Sequence, residues 1–393
     1  MNRSRSAFDP TVRVALIHDW LVAWRGGERV LAALAALFPG APIYTLIADP
    51  AIVATYLPDH PIRTAPIHRW PFSRHYFRWL LPLFPAWVEQ WDLNGFDLIV
   101  SSHHCVAKGV IPAPDALHVC YTYTPMRYIW DRRFDYWGGG RFYRWLERWV
   151  LHRLRIWDVT TARRVDLFIA DSHFVARRIE RYYRRPAAVV YPPIRTDFFQ
   201  PADVQTEHFL VVSALVPYKR VDVIIEAFRR LPNERLIVVG DGPMRRRLQR
   251  MAPRNVMWRR HVTDAELRDL YQRAHAVILP AVEDFGLVVA EAMACGRPAI
   301  VYCRGGAAEL VRPGETGWTI DDVTPDAICA AVDTVHRLQL NSRDIRRSVE
   351  HLNVPRFQQQ IRTLLQQAWT LFRSGAMLDE KLRVLDIVSE NAR

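Results

Sequence analysis

Strand-like and helix-like segments alternate twice along the 393-residue chain, with one break between the two series. In the first series short apolar runs stand at 12–17, 42–47, 97–101, 117–121, 167–170 and 187–191, separated by helical or irregular sequence. The second series is cleaner. Apolar runs at 209–214, 235–239, 255–258, 275–280, 298–302 and 317–320 alternate with helical periods, one of them opened by Thr263-Asp264-Ala265-Glu266, the spelling of a capping box. Such alternation predicts parallel sheets with helices on both faces. Residues 192–207 contain three prolines and no clear period. The expected organisation is an N-terminal domain at 1–198, a linker at 199–207, a second α/β domain at 208–345, and C-terminal helices at 346–393 that pack back toward the first domain. Open parallel sheets bind ligands beyond the carboxyl ends of their strands. Two doubly wound α/β domains facing each other across a cleft are therefore expected to hold the site between them.

Two segments of the second domain carry chemistry. The stretch 280–298 places Glu283 and Gly286 just beyond a strand and Glu291 eight residues after Glu283, on the helix that follows. Eight helical residues span about 12 Å, so the two carboxylates can reach different ends of one ligand. Carboxylates accept paired hydrogen bonds from neighbouring hydroxyls, and the amides of Phe285, Gly286 and Leu287 at a helix start suit an anion such as a diphosphate. Glu291 taken alone reads better as a solvated residue on a helix face. In the second segment, Val212 to Arg220, a strand breaks at Pro217 into Lys219 and Arg220 ahead of a helix. Cations at a helix start oppose its dipole, which makes a phosphate site the better reading. Only three of the 53 basic residues are lysine, and a position that keeps Lys among so many Arg singles out a compact point charge.

The first domain offers Gly26-Gly27 between a strand and a helix, Asp19 just after the first strand, His103-His104 at the end of another, and Lys108. Adjacent residues on a strand point to opposite faces, so only one of the two histidines faces the cleft, and His104 is preferred. Asp19 is a candidate for orienting an acceptor hydroxyl and Lys108 for anionic acceptor or donor groups.

Taken together, EDFGLVVAEAMACGRP with its two glutamates, VPYKR, VGDGP, the Gly26-Gly27 loop, SSHHCVAKGV and YTYTPMRYIWD resemble the retaining glycosyltransferases of family four, which have the GT-B architecture. The N-terminal segments resemble bacterial mannosyltransferases of surface-polysaccharide and O-antigen assembly. The resemblance implies that Lys219 contacts the donor diphosphate and Glu283 holds the donor sugar, with Phe285 and Gly286 offering amides. It also implies that Glu291 binds the ribose hydroxyls, that Gly27 lies against donor phosphate or acceptor, and that transfer retains configuration without a metal or other cofactor. Independently, the sequence has no Asp-x-Asp triplet to clamp a divalent ion on a diphosphate.

Three positions depart from the family pattern. Ser213-Ala214 stand where relatives have Gly-Arg, leaving Arg220 as the nearest substitute. Tyr123 stands in place of a His whose role passes to Tyr123, His103 or His104. Arg260 replaces a common Gly.

The net charge of +12 calls for an anionic partner. Trp and Arg interleave at 71–91 and 141–157, which suits either an anionic membrane surface or a core face with solvated arginines. Five scattered cysteines form no C-x-x-C pair, which fits a reducing compartment. No apolar run is long enough to span a bilayer. The expected protein is a cytoplasmic enzyme, peripheral on the inner face of the plasma membrane. It moves mannose from GDP-mannose to a saccharide or a lipid-diphosphate-linked acceptor. A GT-B epimerase or phosphorylase is the alternative within enzymes, and a basic nucleic-acid or membrane binder the alternative outside them; no nucleic-acid partner is expected.

Overall fold

The computed structural model describes residues 11–70, 74, 77–131, 143–338 and 340–375. It divides into two compact units, one formed by the chain up to Tyr191 together with the segment from Phe357 onward, the other by Pro192–Arg356.

The first unit is built on seven parallel strands: β1 (Val14–His18), β2 (Ile43–Thr45), β3 (Ile62–Thr64), β4 (Leu98–His103), β5 (Leu117–Thr122), β6 (Leu167–Ala170) and β7 (Ala187–Val189). Their order is β3-β2-β1-β4-β5-β6-β7. The central strands β1, β4, β5 and β6 are buried along their whole length. Continuous apolar runs are what a parallel sheet covered on both faces requires. The order reverses between β1 and β4, where Leu16 pairs with Val100 and His18 with Ser102. The helix His173–Tyr183 starts on Ser172, whose hydroxyl accepts from the Val175 N–H at 3.1 Å.

The second unit repeats the plan with six parallel strands: β8 (His208–Val212), β9 (Leu236–Val239), β10 (Val256–Arg259), β11 (Ala274–Leu279), β12 (Ala299–Tyr302) and β13 (Gly317–Ile320). Their order is β10-β9-β8-β11-β12-β13, so the switch falls between β8 and β11. The predicted capping box forms: Glu266 N–H donates to Thr263 Oγ1 at 3.2 Å and Thr263 N–H to Glu266 Oε2 at 2.6 Å.

Several boundaries differ from the sequence reading. The unit boundary lies at Tyr191 rather than 198, and the expected linker at 199–207 is part of the second unit. Phe199 is the reason, since it is fully buried against Tyr271, while Arg195 pairs with Asp264 at 2.5 Å. Residues 346–356 also belong to the second unit, and the helix Val354–Arg373 joins the first from Phe357 onward. There Phe357 packs edge-on to Tyr121, and Gln358 donates to the Ala33 carbonyl at 3.0 Å. The tail after Gly375 lies outside the described residues.

The two aromatic-basic belts divide between core and surface. Trp87, Trp91 and Trp157 pack against the core of the first unit, whereas Trp79 and Trp149 are exposed, Trp79 to 84%. Among the described residues no helix is long and apolar enough to cross a membrane. The five cysteines are all free thiols.

Candidate functional site

At the switch point of the second sheet two loops meet. The loop after β8 carries Pro217–Lys219 as a single 3-10 turn, followed by Arg220 at φ +53°, and this left-handed residue starts the helix Val221–Arg229. The loop after β11 carries Glu283 and ends at Gly286, φ +95°, which starts the helix Leu287–Ala294. Its N-cap residue is a glycine, which has no side chain to cap it, so the N–H dipoles of the first turn point ahead of the helix.

Lys219 and Glu283 form an ion pair across the junction, with side chains only 15% and 14% exposed. Arg220 leans instead on Asp222 at 3.7 Å. Glu291, one turn into the helix Leu287–Ala294, is buried rather than solvated, and Tyr271 donates to its Oε2 at 3.0 Å. Phe285 is buried beneath the loop.

Glycines set how closely the loops approach. Gly306 N–H donates to the Glu283 carbonyl at 2.7 Å, and a Cβ on Gly306 would overlap the Asp284 carbonyl oxygen. The loop after β12 therefore lies directly against the backbone that carries Glu283. At the neighbouring turn, Arg260 finds its role: its Nε donates to Asp241 Oδ2 at 2.7 Å, tying the end of β10 to the Gly-Asp-Gly turn after β9.

The switch point of the first sheet has a different construction. Asp19, fully buried, accepts from the backbone N–H groups of His104, Cys105, Val106 and Ala107 at 2.6–3.0 Å. His104 Nδ1 lies 2.9 Å from the same carboxylate. Burial alone would raise the Asp19 pKa, but the charge and hydrogen bond of His104, with His103 and His18 nearby, hold it far below the usual carboxylate range. With five donors around it, Asp19 has no oxygen lone pair left for a substrate hydroxyl, which corrects the acceptor role expected for it.

Lys108 requires the same correction. Its Nζ sits fully buried 2.9 Å from Asp158 Oδ1, donates to the Asp158 carbonyl and to Thr161 Oγ1, and lies over the rings of Tyr183 and Trp157. It is an internal ion pair and not an anion site.

Of the adjacent histidines, His103 is fully buried and its pKa is driven well below the ordinary value by burial. His104 keeps its ring partly exposed and packs edge-on to Trp20 at 4.5 Å. Tyr123 is half-buried, and its hydroxyl donates to the Gly27 carbonyl at 2.8 Å while Ser102 Oγ stands 2.8 Å away. Burial pushes this phenol well above its ordinary pKa. A phenol so engaged is placed to position the Gly26-Gly27 helix start. Gly27 correspondingly lies against the Tyr123 ring, 3.5 Å from where its Cβ would stand.

Sequence reasoning missed Tyr271, Ser102 and the Gly305-Gly306 loop. The last had a visible signal, a Gly pair just after a strand; Tyr271 and Ser102 had none, because their partners are distant in sequence.

Two Rossmann-like units with reversed strand order define the GT-B class. A family model described as "Glycosyltransferase Family 4" matches residues 24–198, and one described as "Glycosyl transferases group 1" matches residues 194–351. Between them they span both units, and the chain belongs to the family-four type of glycosyltransferases.

Among curated proteins, the GDP-mannose-dependent alpha-(1-6)-phosphatidylinositol monomannoside mannosyltransferase of Mycolicibacterium smegmatis is 37% identical over 138 residues, covering 31% of this chain and 36% of that protein. The D-inositol 3-phosphate glycosyltransferase of Mycobacterium bovis is 29% identical over 198 residues, 44% of this chain and 41% of that one. These matches span well under half the length of either relative. Among solved structures, Anabaena HepE in complex with UDP and glucose superposes with TM-score 0.69 at 17% identity, covering 90% of this chain and 99% of that one. Sucrose-phosphate synthase from Thermosynechococcus elongatus superposes with TM-score 0.68 at 17% identity, covering 91% and 99%. At such identity these likenesses establish the fold alone.

Proposed function

We propose that the chain transfers a hexose from a nucleoside diphosphate sugar to a hydroxyl of a saccharide or lipid-diphosphate-linked acceptor, with GDP-mannose as the first-choice donor. The observation that carries this reading is the meeting of Lys219 and Glu283 at the switch point, ahead of a helix that starts on Gly286. A cation, a carboxylate and oriented N–H groups are what a sugar diphosphate needs at its anionic and hydroxylic ends.

In this reading Lys219, with Arg220 beside it and the amides of Phe285, Gly286 and Leu287 at the helix start, stabilises the diphosphate as it leaves. Glu283 holds hydroxyls of the sugar, and Glu291, held by Tyr271, accepts from the ribose. The acceptor oxygen forms its bond to the anomeric carbon on the face from which the diphosphate departs. The electron pair of the broken C–O bond stays with the phosphate oxygen, which takes the acceptor proton. Configuration is retained. His104, its Nδ1 turned to Asp19, has Nε2 left to accept from a substrate hydroxyl. Lys219 and Arg220 supply the positive charge that a metal would otherwise bring, so no divalent ion is required.

The mannose assignment is supported by the similarity to the mycobacterial mannosyltransferase, and UDP-glucose is the competing donor. A cytoplasmic protein peripheral on an anionic membrane, serving surface-polysaccharide synthesis, is supported by the exposed Trp79 and Trp149, the latter with Arg153 stacked on it at 4.9 Å.

The test is incubation of the purified protein with labelled GDP-mannose or UDP-glucose in EDTA, with free and lipid-linked saccharide acceptors, and NMR of the product anomer. Acceptor-dependent transfer in EDTA with a retained anomer is the expected result. Conversion of donor without acceptor would mean an epimerase, dependence on inorganic phosphate a phosphorylase, and an inverted anomer or a metal requirement would overturn the mechanism.

A further inference from the structure

Lys219 and Glu283 neutralise each other in a site that leaves each about one-seventh exposed. An anion arriving at the start of the helix Leu287–Ala294 is attracted by Lys219 and repelled by the carboxylate three residues before Gly286. If the anion draws Lys219 away, Glu283 is left with its charge partner gone in a poorly solvated place, the most costly state of a buried pair.

The backbone that carries the carboxylate cannot shift away with the loop, because it is pinned. The Glu283 carbonyl accepts from Gly306 N–H, and the Cα of Gly305 is so close that a Cβ there would lie 2.7 Å from the Glu283 oxygen and 2.9 Å from its nitrogen. Arg220, the neighbouring cation, is turned to Asp222. A ligand avoids the cost by bringing Glu283 a replacement, and vicinal hydroxyls do so by donating to the carboxylate oxygens.

We infer that the Lys219–Glu283 ion pair is a discriminator: it disfavours a bare nucleoside diphosphate and accepts the same diphosphate when it carries a sugar. The inference rests on the function proposed above and adds a consequence to it. Once the sugar has been transferred, Glu283 loses its hydroxyl partners and competes again for Lys219, so the carboxylate that holds the donor also hastens departure of the nucleotide product.

Calorimetric titration of the full chain with GDP, GDP-mannose, UDP and UDP-glucose tests it, using the unaltered protein, Glu283→Gln and Glu291→Gln. Gln keeps the shape and the hydrogen-bonding oxygen but not the charge. With Glu283→Gln the affinity for the bare nucleoside diphosphate should rise about tenfold, the size of one charge-assisted hydrogen bond, and the preference for the sugar nucleotide should narrow. Glu291→Gln should weaken both ligands by a common factor.

A bare-diphosphate affinity that is unchanged or lower in Glu283→Gln overturns the inference while leaving the function standing. Failure of the unaltered protein to bind any of the four ligands overturns the function itself, and the inference with it. If Glu283→Gln does not fold, the unaltered protein decides: saturating free hexose should tighten pyrophosphate binding by reciprocal coupling, and no tightening, or weakening, contradicts the proposal.

Discussion

Lys108 lies wholly inside the first unit with Asp158, and Asp19 lies there too, ringed by amides. Both look like free charges in the sequence. What separates them from Lys219 and Glu283 is the company the fold gives them: Asp158 stands 50 residues from Lys108, and the amides around Asp19 come from 85 to 88 residues away. No local pattern announces such partners. Glu283, Gly286, Glu291 and the Pro217 to Arg220 turn were legible because each group sits within one strand-loop-helix segment, where spacing fixes position. Their pairing across the switch point was not legible, since it depends on which strands become neighbours. Truncating one partner of a buried ion pair leaves the other uncompensated, so Lys108→Ala should cost about 3–5 kcal/mol of stability. Chemical denaturation checks this. The donor KM of whatever folded enzyme remains should be unchanged, whereas a selective rise in KM would restore Lys108 to ligand binding.

At the level of elements, the strands were read well because parallel strands buried on both faces are continuous apolar runs. β3 (Ile62–Thr64) and the helices Pro50–Tyr56 and Ser342–Val349 were missed, being short and largely amphipathic or exposed. The prolines at 192, 193 and 201 marked a break in periodicity, yet Phe199 anchors that segment in the second unit. The element on which the site most depends is the Gly305-Gly306 loop, whose close approach holds Glu283 in place. A Cβ on Gly306 must push the Asp284 carbonyl aside. Overpacking of this kind costs about 1–3 kcal/mol, and Gly306→Ala should show that loss in denaturant unfolding together with weaker sugar-nucleotide binding. Normal binding at reduced stability would mean that the loop supports the fold and not the position of Glu283.

For the whole molecule, the two-sheet plan and the family followed from the double alternation and its motifs, while the boundary between units followed from neither. Composition gave a net charge of +12 but not its distribution between ion pairs and surface. The structure adds a pH dependence. Burial pushes His18 and His118 down to about 4 and His103 well below its ordinary value. Between about pH 4 and 6.5 the unfolded chain therefore binds more protons at these sites than the folded one, so stability falls as pH is lowered through that window. His18 and His118 each contribute a slope of about 1.4 kcal/mol per pH unit there. Melting temperatures measured from pH 7.5 to 4.5 should drop steeply below about 6.5, and a flat profile would mean that these histidines are solvated. The central claim concerns the second sheet's switch point, and hydrogen exchange of the full chain with and without saturating GDP-mannose or UDP-glucose in EDTA tests it most directly. The account predicts slowed exchange in peptides covering 213–221 and 282–291; saturating ligand with no protection in either segment, or protection confined to other parts of the chain, would contradict it.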